Sequence, residues 1–422
     1  MLEIKPVESI NTDVTVPGSK SITQRALIAA ALARGTSTLV GPLASEDTAY
    51  TSGALESMGV TVEQGDGQWL VQGCGGKIHT PSTEIFLGNN GTATRFLTSF
   101  VGLGQGAFTI TGGKRMEERP IDPLLTALAG WGVDIASVKG TGCPPLLAKA
   151  KGIDGGETTL PEGKSSQYLS SLLLVAPYTR NPAILNVAGV VPSKPYVTMT
   201  LAVMRSFGAK LTAAETLNRF EISPTPYSPC TYHVEGDASS SSYFFAAAAI
   251  TGGRVRVKNV PNPSLQGDTA LVGMLEQMGC TVDYSDGITV TGPKELRGVE
   301  VDMGDCPDVA PTLAIVAAHA KGRTVIRNIE HLRIKECDRI TAMATELAKM
   351  GARVSEEPDT LTIEGVSDTP LHGAEIDTYE DHRIAMCFAV AGLVTPGVKI
   401  KDKDVVAKSF PDFWERFQWL YR

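Results

Sequence analysis

The sequence predicts an α/β protein of two domains built from six copies of one helix–strand unit. Three observations carry this. A short pattern, apolar-x-x-apolar-Gly-apolar-x-apolar, recurs at LESMGVTV, LAGWGVDI, MRSFGAKL, LEQMGCTV and LAKMGARV, its glycines 73, 76, 71 and 72 residues apart. A second series keeps the same step, with polar openings that run into apolar helices at SKSITQRALIAAAL, NNGTATRFLTSFV, KSSQYLSSLLLVA, DASSSSYFFAAAAI, DCPDVAPTLAIVAA and EDHRIAMCFAVAGL. At 422 residues, finally, the chain is too long for one ordinary core. A fixed period of this kind is the signature of a repeat architecture.

Each unit reads helix, strand, helix, strands. The motif glycine follows the last turn of a helix, where a left-handed residue belongs, and a strand starts directly after it. The helices of the second series have no polar face, so they should be buried all round. β-rich segments such as GTSTLVG, GAFTITG and GRTVIRNI follow them. The last helix, PDFWERFQWLYR, ends where its own glycine and strands should begin, and the N-terminal strand MLEIKPV is expected to help complete that sixth unit. Six buried helices cannot share one core at this length, so they divide three and three. The chain should cross between domains near Pro17–Gly18 and near Glu235–Gly236–Asp237. One domain is then continuous, residues 18–235, and the other is assembled from 1–17 and 236–422, with the active site expected in the cleft between them.

Composition narrows the class. Hydrophobic residues at 42% and charged residues at 20% are those of a globular protein in water. A formal charge of −8 argues against general nucleic-acid or anionic-membrane binding. No basic leader precedes an apolar core, and no apolar run reaches the roughly 18 residues of a membrane span. The seven cysteines are odd in number and never spaced C-x-x-C, which suits reduced thiols in the cytoplasm and no zinc site.

Chemistry gathers at the openings of the helices. Val16 to Ala33, VPGSKSITQRALIAAALA, presents Ser19, Lys20, Ser21 and Arg25 on the first turns of a buried helix. Unpaired backbone N–H groups and the helix dipole favour an anion there. The same series supplies Asn89, Gly91, Thr92 and Arg95, then Ser165, Ser166 and Gln167, then Asp308, and last His382 with Arg383. Turns before the second helices add Arg119 (EERP), Ser193 and Tyr196 (SKPY), Lys335, Glu336 and Arg339 (KECDR) and Lys408 (AKSFPD). Cations and hydroxyls outnumber acids, which suits a ligand with at least two anionic groups. Arginine offers carboxylate or phosphate a planar fork, and lysine can also move a proton. Asp308 and Glu336, lodged among cations, are candidates for acid–base work. Each residue also has a plain reading. Taken singly, Arg119, Arg339 and Arg383 read as surface residues in salt bridges, Asp308 as a helix cap and His382 as a structural histidine. Cys306 reads as a buried thiol, since no histidine partner is identifiable. GNNGTATR matches neither a Walker nor a Rossmann fingerprint.

Nine motifs in order, PGSKS with Arg25, LGNNGTA with Arg95, EERP, SSQ, SKPY, PDVAPT, KECDR, DHR and AKSFPD, resemble those of the 5-enolpyruvylshikimate-3-phosphate synthase family. The resemblance spans nearly the whole chain. It implies a two-domain inside-out α/β barrel of the enolpyruvyl transferase type, with three repeats per domain. It further implies transfer of the carboxyvinyl group of phosphoenolpyruvate to the 5-hydroxyl of shikimate 3-phosphate, with release of phosphate. No metal or organic cofactor, no nucleic acid and no membrane are expected, and the expected form is a monomer. Carried over by position, Ser21, Arg25, Ser165, Ser166, Ser193, Tyr196 and Lys335 correspond to ligands of shikimate 3-phosphate. Asn89, Gly91, Arg119, Arg339, His382, Arg383 and Lys408 correspond to the phosphoenolpyruvate cage, and Lys20 and Gln167 face both substrates. Asp308 lies by the 5-hydroxyl, and Lys20, Asp308 and Glu336 are the candidates for proton transfer. The chain departs from the family's pattern at Gln24, Asn90, Thr94 and His331, the last where an asparagine usually touches the shikimate phosphate.

Two rivals stand beside this reading. The sibling enzyme that uses UDP-N-acetylglucosamine shares the fold, but has Lys-Asn where this chain has Lys20-Ser21. A non-catalytic anion-binding repeat protein would not require Asp308 and Glu336 amid the cations.

Overall fold

The five motif glycines, Gly59, Gly132, Gly208, Gly279 and Gly351, all have positive φ, between 82° and 111°. Each ends its helix in the left-handed region and turns the chain into a strand, as the motif predicts. The computed structural model describes residues 1–365 and 370–422. Its helices alternate between inner and outer positions: α1 (Lys20–Leu32), α2 (Glu46–Ser57), α3 (Gly91–Gly102), α4 (Asp122–Gly130), α5 (Ser166–Val175), α6 (Lys194–Ser206), α7 (Ala238–Thr251), α8 (Ala270–Gln277), α9 (Ala310–Ala318), α10 (Arg339–Lys349), α11 (His382–Ala391) and α12 (Phe413–Phe417). The odd-numbered helices are the inner ones. In α1 every residue from Ile22 to Leu32 is buried, and α9 and α11 are buried along their whole length. The even-numbered helices bury one face only. In α10 that stripe is Arg339, Ile340, Ala342, Met343, Glu346 and Leu347, the spacing of an amphipathic helix. The expected helix at the C-terminus is shorter than its sequence suggests, since α12 passes into a 3₁₀ turn at Gln418–Tyr421.

Among the described residues there are six small sheets, five of four strands and one of three. The strand before an inner helix pairs in parallel with the strand after it, as Ile85–Phe86 does with Gln105–Thr111 around α3. An antiparallel pair from beyond the outer helix completes the sheet. Strand Gln68–Cys74 alternates exposed and buried residues, one face on the helices and one in solvent. The three-stranded sheet is finished by the N-terminus, where Leu2–Glu3 pairs antiparallel with Lys399–Ile400.

The chain divides into two compact units, residues 18–234 and residues 1–17 with 235–422. The hydrophobic core divides with them. The division runs through two repeats. Strand Asn11–Val14 precedes α1 but pairs with Arg254–Val257 of the discontinuous unit, and Thr231–His233 precedes α7 but pairs with Arg34–Val40 of the continuous one. Glu235, which the sequence reading assigns to the continuous domain, goes with the other unit. Its carboxylate accepts hydrogen bonds there from Ser264 Oγ (2.6 Å) and Gln266 Nε2 (3.0 Å).

Within each unit the inner helices run side by side from a common end. In the continuous unit Gln167 Nε2 on α5 donates to Thr92 Oγ1 on α3 (3.0 Å), and Ser171 Oγ one turn on donates to Ser99 Oγ (2.6 Å). In the discontinuous unit Ser242, Thr312 and Cys387 form a ladder across α7, α9 and α11 at 2.9 and 3.7 Å. Three positive helix ends therefore emerge together in each unit.

Candidate active site

In the continuous unit, Ser19 begins α1 by accepting from the Ile22 amide (3.4 Å), which leaves Lys20 on the first turn. Lys20 Nζ lies 3.1 Å from Asp47 Oδ2, a carboxylate only 4% exposed. Gln24 Nε2 (3.2 Å) and Asn90 Nδ2 (2.6 Å) both donate to the Asp47 carbonyl. Two of the chain's departures from the family pattern thus meet on the residue that holds Lys20.

Arg25 is buried and tied on every side. Its Nε donates to Thr200 Oγ1 (2.7 Å), and its terminal nitrogens donate to the carbonyls of Ser21 (2.8 Å) and Tyr196 (3.3 Å) and to Ser170 Oγ (3.3 Å). Burial pulls its pKa down to about 10, which still leaves it charged at neutral pH. Arg25 thereby links α1, α5 and α6 at the end where Ser21, Ser193 and Tyr196 sit. Ser165 caps α5 by accepting from the Gln167 amide (3.2 Å), which brings Ser166 and Gln167 to the same end.

Arg119 is buried, against the surface reading. Its NH1 donates weakly to Asn89 Oδ1 (3.4 Å), and its guanidinium lies over Gly91. A methyl at Gly91 would come within 2.5 Å of Arg119 NH2 and 2.6 Å of Arg95 NH1. Glycine is therefore required for Arg119 to rest where it does.

The discontinuous unit assembles a denser cluster. Arg339 NH2 donates to Glu336 Oε2 (2.7 Å), its NH1 to Asp308 Oδ1 (3.2 Å) and its Nε to Asp381 Oδ2 (2.7 Å). Burial works against the Arg339 charge, but Asp381, Glu336 and Asp308 outweigh it and hold its pKa above the ordinary value. Asp308 Oδ2 also accepts from Arg383 NH2 (2.8 Å), and Lys335 Nζ lies 3.8 Å from Oδ1. The cap reading of Asp308 is not met, since neither its 3₁₀ turn nor α9 has a side-chain cap. His382 is buried on the first turn of α11, and Lys408 is buried at the end of the 3₁₀ turn Asp404–Lys408, which packs on α11. Cys306 is a buried thiol with its pKa pushed upward by burial.

Each predicted residue therefore falls into one of two arrays, one per unit. The sequence reading missed Asp47, Asp268 and Asp381. Asp381 stands beside the DHR arginine and caps α11 through the Arg383 amide (2.9 Å), a signal that was available as an acid just before a helix start. His331 is half-buried, with its Nε2 buried and without a hydrogen-bond partner. Burial first, then Lys335, lowers its pKa to about 4, so it is neutral at neutral pH. Among the described residues no group of three or more His, Cys, Asp or Glu side chains is placed to hold a metal ion.

Asp268 is fully buried and accepts from Ser239 Oγ, which Arg383 NH2 approaches at 3.4 Å. Burial, and then the Asp308 charge, raises its pKa to about 6. A carboxyl raised on folding stabilises the fold below its unfolded value and loses that contribution as pH rises through the folded one. Asp268→Asn, which cannot titrate, should therefore gain on the parent as pH rises from about 4 to about 7. Scanning calorimetry should read this as a relative Tm gain of roughly 2–4 °C at the higher pH. A difference in Tm that does not change with pH would contradict it.

The arrangement suits two anionic groups bound by fixed cations and helix N-termini, with carboxylates set among them for proton transfer. A family profile described as EPSP synthase (3-phosphoshikimate 1-carboxyvinyltransferase) matches residues 4–417. The chain is 44% identical over 412 residues to a 3-phosphoshikimate 1-carboxyvinyltransferase of Nostoc punctiforme, covering 97% of this chain and 96% of that one. It is equally identical over 421 residues to one from a Shewanella species, covering 99% and 98%. A solved structure of EPSP synthase from Acinetobacter baumannii superposes with a TM-score of 0.83 at 29% identity, covering 99% of this chain and 97% of that one.

Proposed function

The chain belongs to the EPSP synthase family, and from that premise we propose that the residues of both arrays serve its one reaction. That reaction transfers the carboxyvinyl group of phosphoenolpyruvate to the 5-hydroxyl of shikimate 3-phosphate, in the shikimate pathway of aromatic amino acid biosynthesis. The 5-oxygen bonds to the central carbon of phosphoenolpyruvate, its proton leaves, and the methylene carbon gains a proton. The tetrahedral intermediate then loses a proton from the new methyl group and expels phosphate, which restores the double bond.

Shikimate 3-phosphate is assigned Lys20, Ser21, Arg25, Ser165, Ser166 and Gln167, with Ser193, Tyr196, Asp308 and Lys335. Phosphoenolpyruvate is assigned Lys20, Asn89, Gly91, Arg119 and Gln167, with Arg339, His382, Arg383 and Lys408. Asp308 takes the 5-hydroxyl proton, and Glu336 and Lys20 are the candidates for the other proton transfers. The observation that carries this reading is the Asp308 carboxylate held between Arg339 (3.2 Å) and Arg383 (2.8 Å). Two guanidiniums keep that carboxylate oriented, and a phosphoenolpyruvate drawn to the same cations would lie beside a base. The chain acts as a monomer, since both arrays come from one polypeptide, and in the cytoplasm, where its seven free cysteines stay reduced.

A coupled phosphate-release assay tests the reading. Phosphate should appear only when both substrates are present, one for each shikimate 3-phosphate consumed. Release with UDP-N-acetylglucosamine in its place, or no release, would reject it.

A further inference from the structure

The segment that delivers Asp381, His382 and Arg383 is held in an unusual shape. Tyr379 and Glu380, neither of them glycine, are consecutive residues in the left-handed region, with φ of 53° and 54°. Side chains with a Cβ resist that conformation, so surrounding contacts must impose it. Those contacts come from α10. Glu346, its side chain wholly buried, accepts from Tyr379 Oη at Oε1 (2.6 Å) and from the Asp377 amide at Oε2 (3.2 Å). Lys349 Nζ closes the network on both Glu346 oxygens (2.8 and 2.9 Å) and on Asp377 (2.7 Å).

Two turns back along the same face of α10, Arg339 grips the other end of the segment through Asp381. One helix thus clamps the turn at two points about 10 Å apart along its axis. Asp381 in turn receives the Arg383 amide and so sets the start of α11. None of this brings Glu346 to the cations themselves.

We infer that Glu346 is a positioning residue for the reaction: through Tyr379 and the Asp377 backbone it holds the left-handed turn that aims Asp381 and Arg383. The inference rests on the placement of phosphoenolpyruvate on Arg339 and Arg383. Without the Glu346 carboxylate the turn relaxes, Asp381 no longer fixes both arginines, and the phosphoenolpyruvate contacts loosen while the array around Arg25 is untouched.

The test combines steady-state kinetics with amide hydrogen exchange on the free protein. Glu346→Ala should raise the KM for phosphoenolpyruvate about tenfold and leave that for shikimate 3-phosphate within about twofold. Tyr379→Phe, a change at a partly exposed residue that should fold normally, should raise the same KM about threefold. Glu346→Gln keeps an acceptor for Tyr379 and should restore it to within about threefold of the parent. Exchange at the Asp381 and Arg383 amides should quicken in Glu346→Ala and Tyr379→Phe. Arg383→Ala tests the placement separately, and an unchanged phosphoenolpyruvate KM there would overturn the placement and the inference with it. If Arg383→Ala raises that KM while Tyr379→Phe alters neither exchange nor KM, the inference alone is overturned. Equal losses for both substrates would likewise mark Glu346 as structural only.

Discussion

Asp308→Ala is expected to lower turnover by about two to four decades, as loss of a positioned acid–base group does. Binding of phosphoenolpyruvate should survive. The carboxylate lies among Arg339, Arg383 and Lys335, so its removal leaves three cations with one fewer anion to neutralise them. Phosphoenolpyruvate, itself anionic, should then bind as well as before or more tightly. A fall in turnover with an unchanged or lowered KM is the pattern of a group that acts in the transition state. Near-normal turnover would reduce Asp308 to a counter-ion shared by Arg339 and Arg383. Loss of the folded state, read by calorimetry, is not expected, since Arg339 keeps Glu336 and Asp381 as partners.

Arg119→Ala should weaken phosphoenolpyruvate binding about ten- to a hundredfold and shikimate 3-phosphate binding far less. A charge-assisted contact is worth roughly 1.5–3 kcal/mol, which is that range of affinity. The structure sharpens the expectation. Arg119 is buried, with its guanidinium over Gly91 at the first turn of α3, where the positive helix end adds to its own charge. Lys408→Ala, in the other unit, should show the same selectivity. Titration calorimetry with each substrate decides the matter, and equal losses for both would remove Arg119 and Lys408 from the phosphoenolpyruvate cage.

Much of the fold is legible in the chain because its signals are local and periodic. LESMGVTV and its four relatives each carry a glycine that must turn left-handed after a helix, and each does. The inner helices announce themselves by lacking a polar face, as Ile22 to Leu32 shows. Even the pairing of the N-terminus with the last repeat follows from a period that runs past Arg422. The candidate residues stand out by type and by recurrence at the openings of buried helices, although each taken singly also reads as a cap or a surface ion pair.

What the chain did not disclose is who pairs with whom. Arg339 meets Asp381 across 42 residues, and Asp308 meets Arg383 across 75. Sequence spacing carries no information on such pairs, because they depend on which helix ends the packing brings together and where their side chains point. The same holds for burial: Arg119, Arg339 and Arg383 each look like surface residues until neighbouring elements close over them. It holds again for Glu346, which reads as one more helix glutamate at a spacing suited to Lys349. In the folded protein its side chain is wholly buried and accepts from Tyr379, 33 residues on. Local chemistry and period determined the elements and their order. Tertiary packing decided which charges are buried together, because desolvation and pairing are properties of the assembled helix ends and of no single stretch of chain.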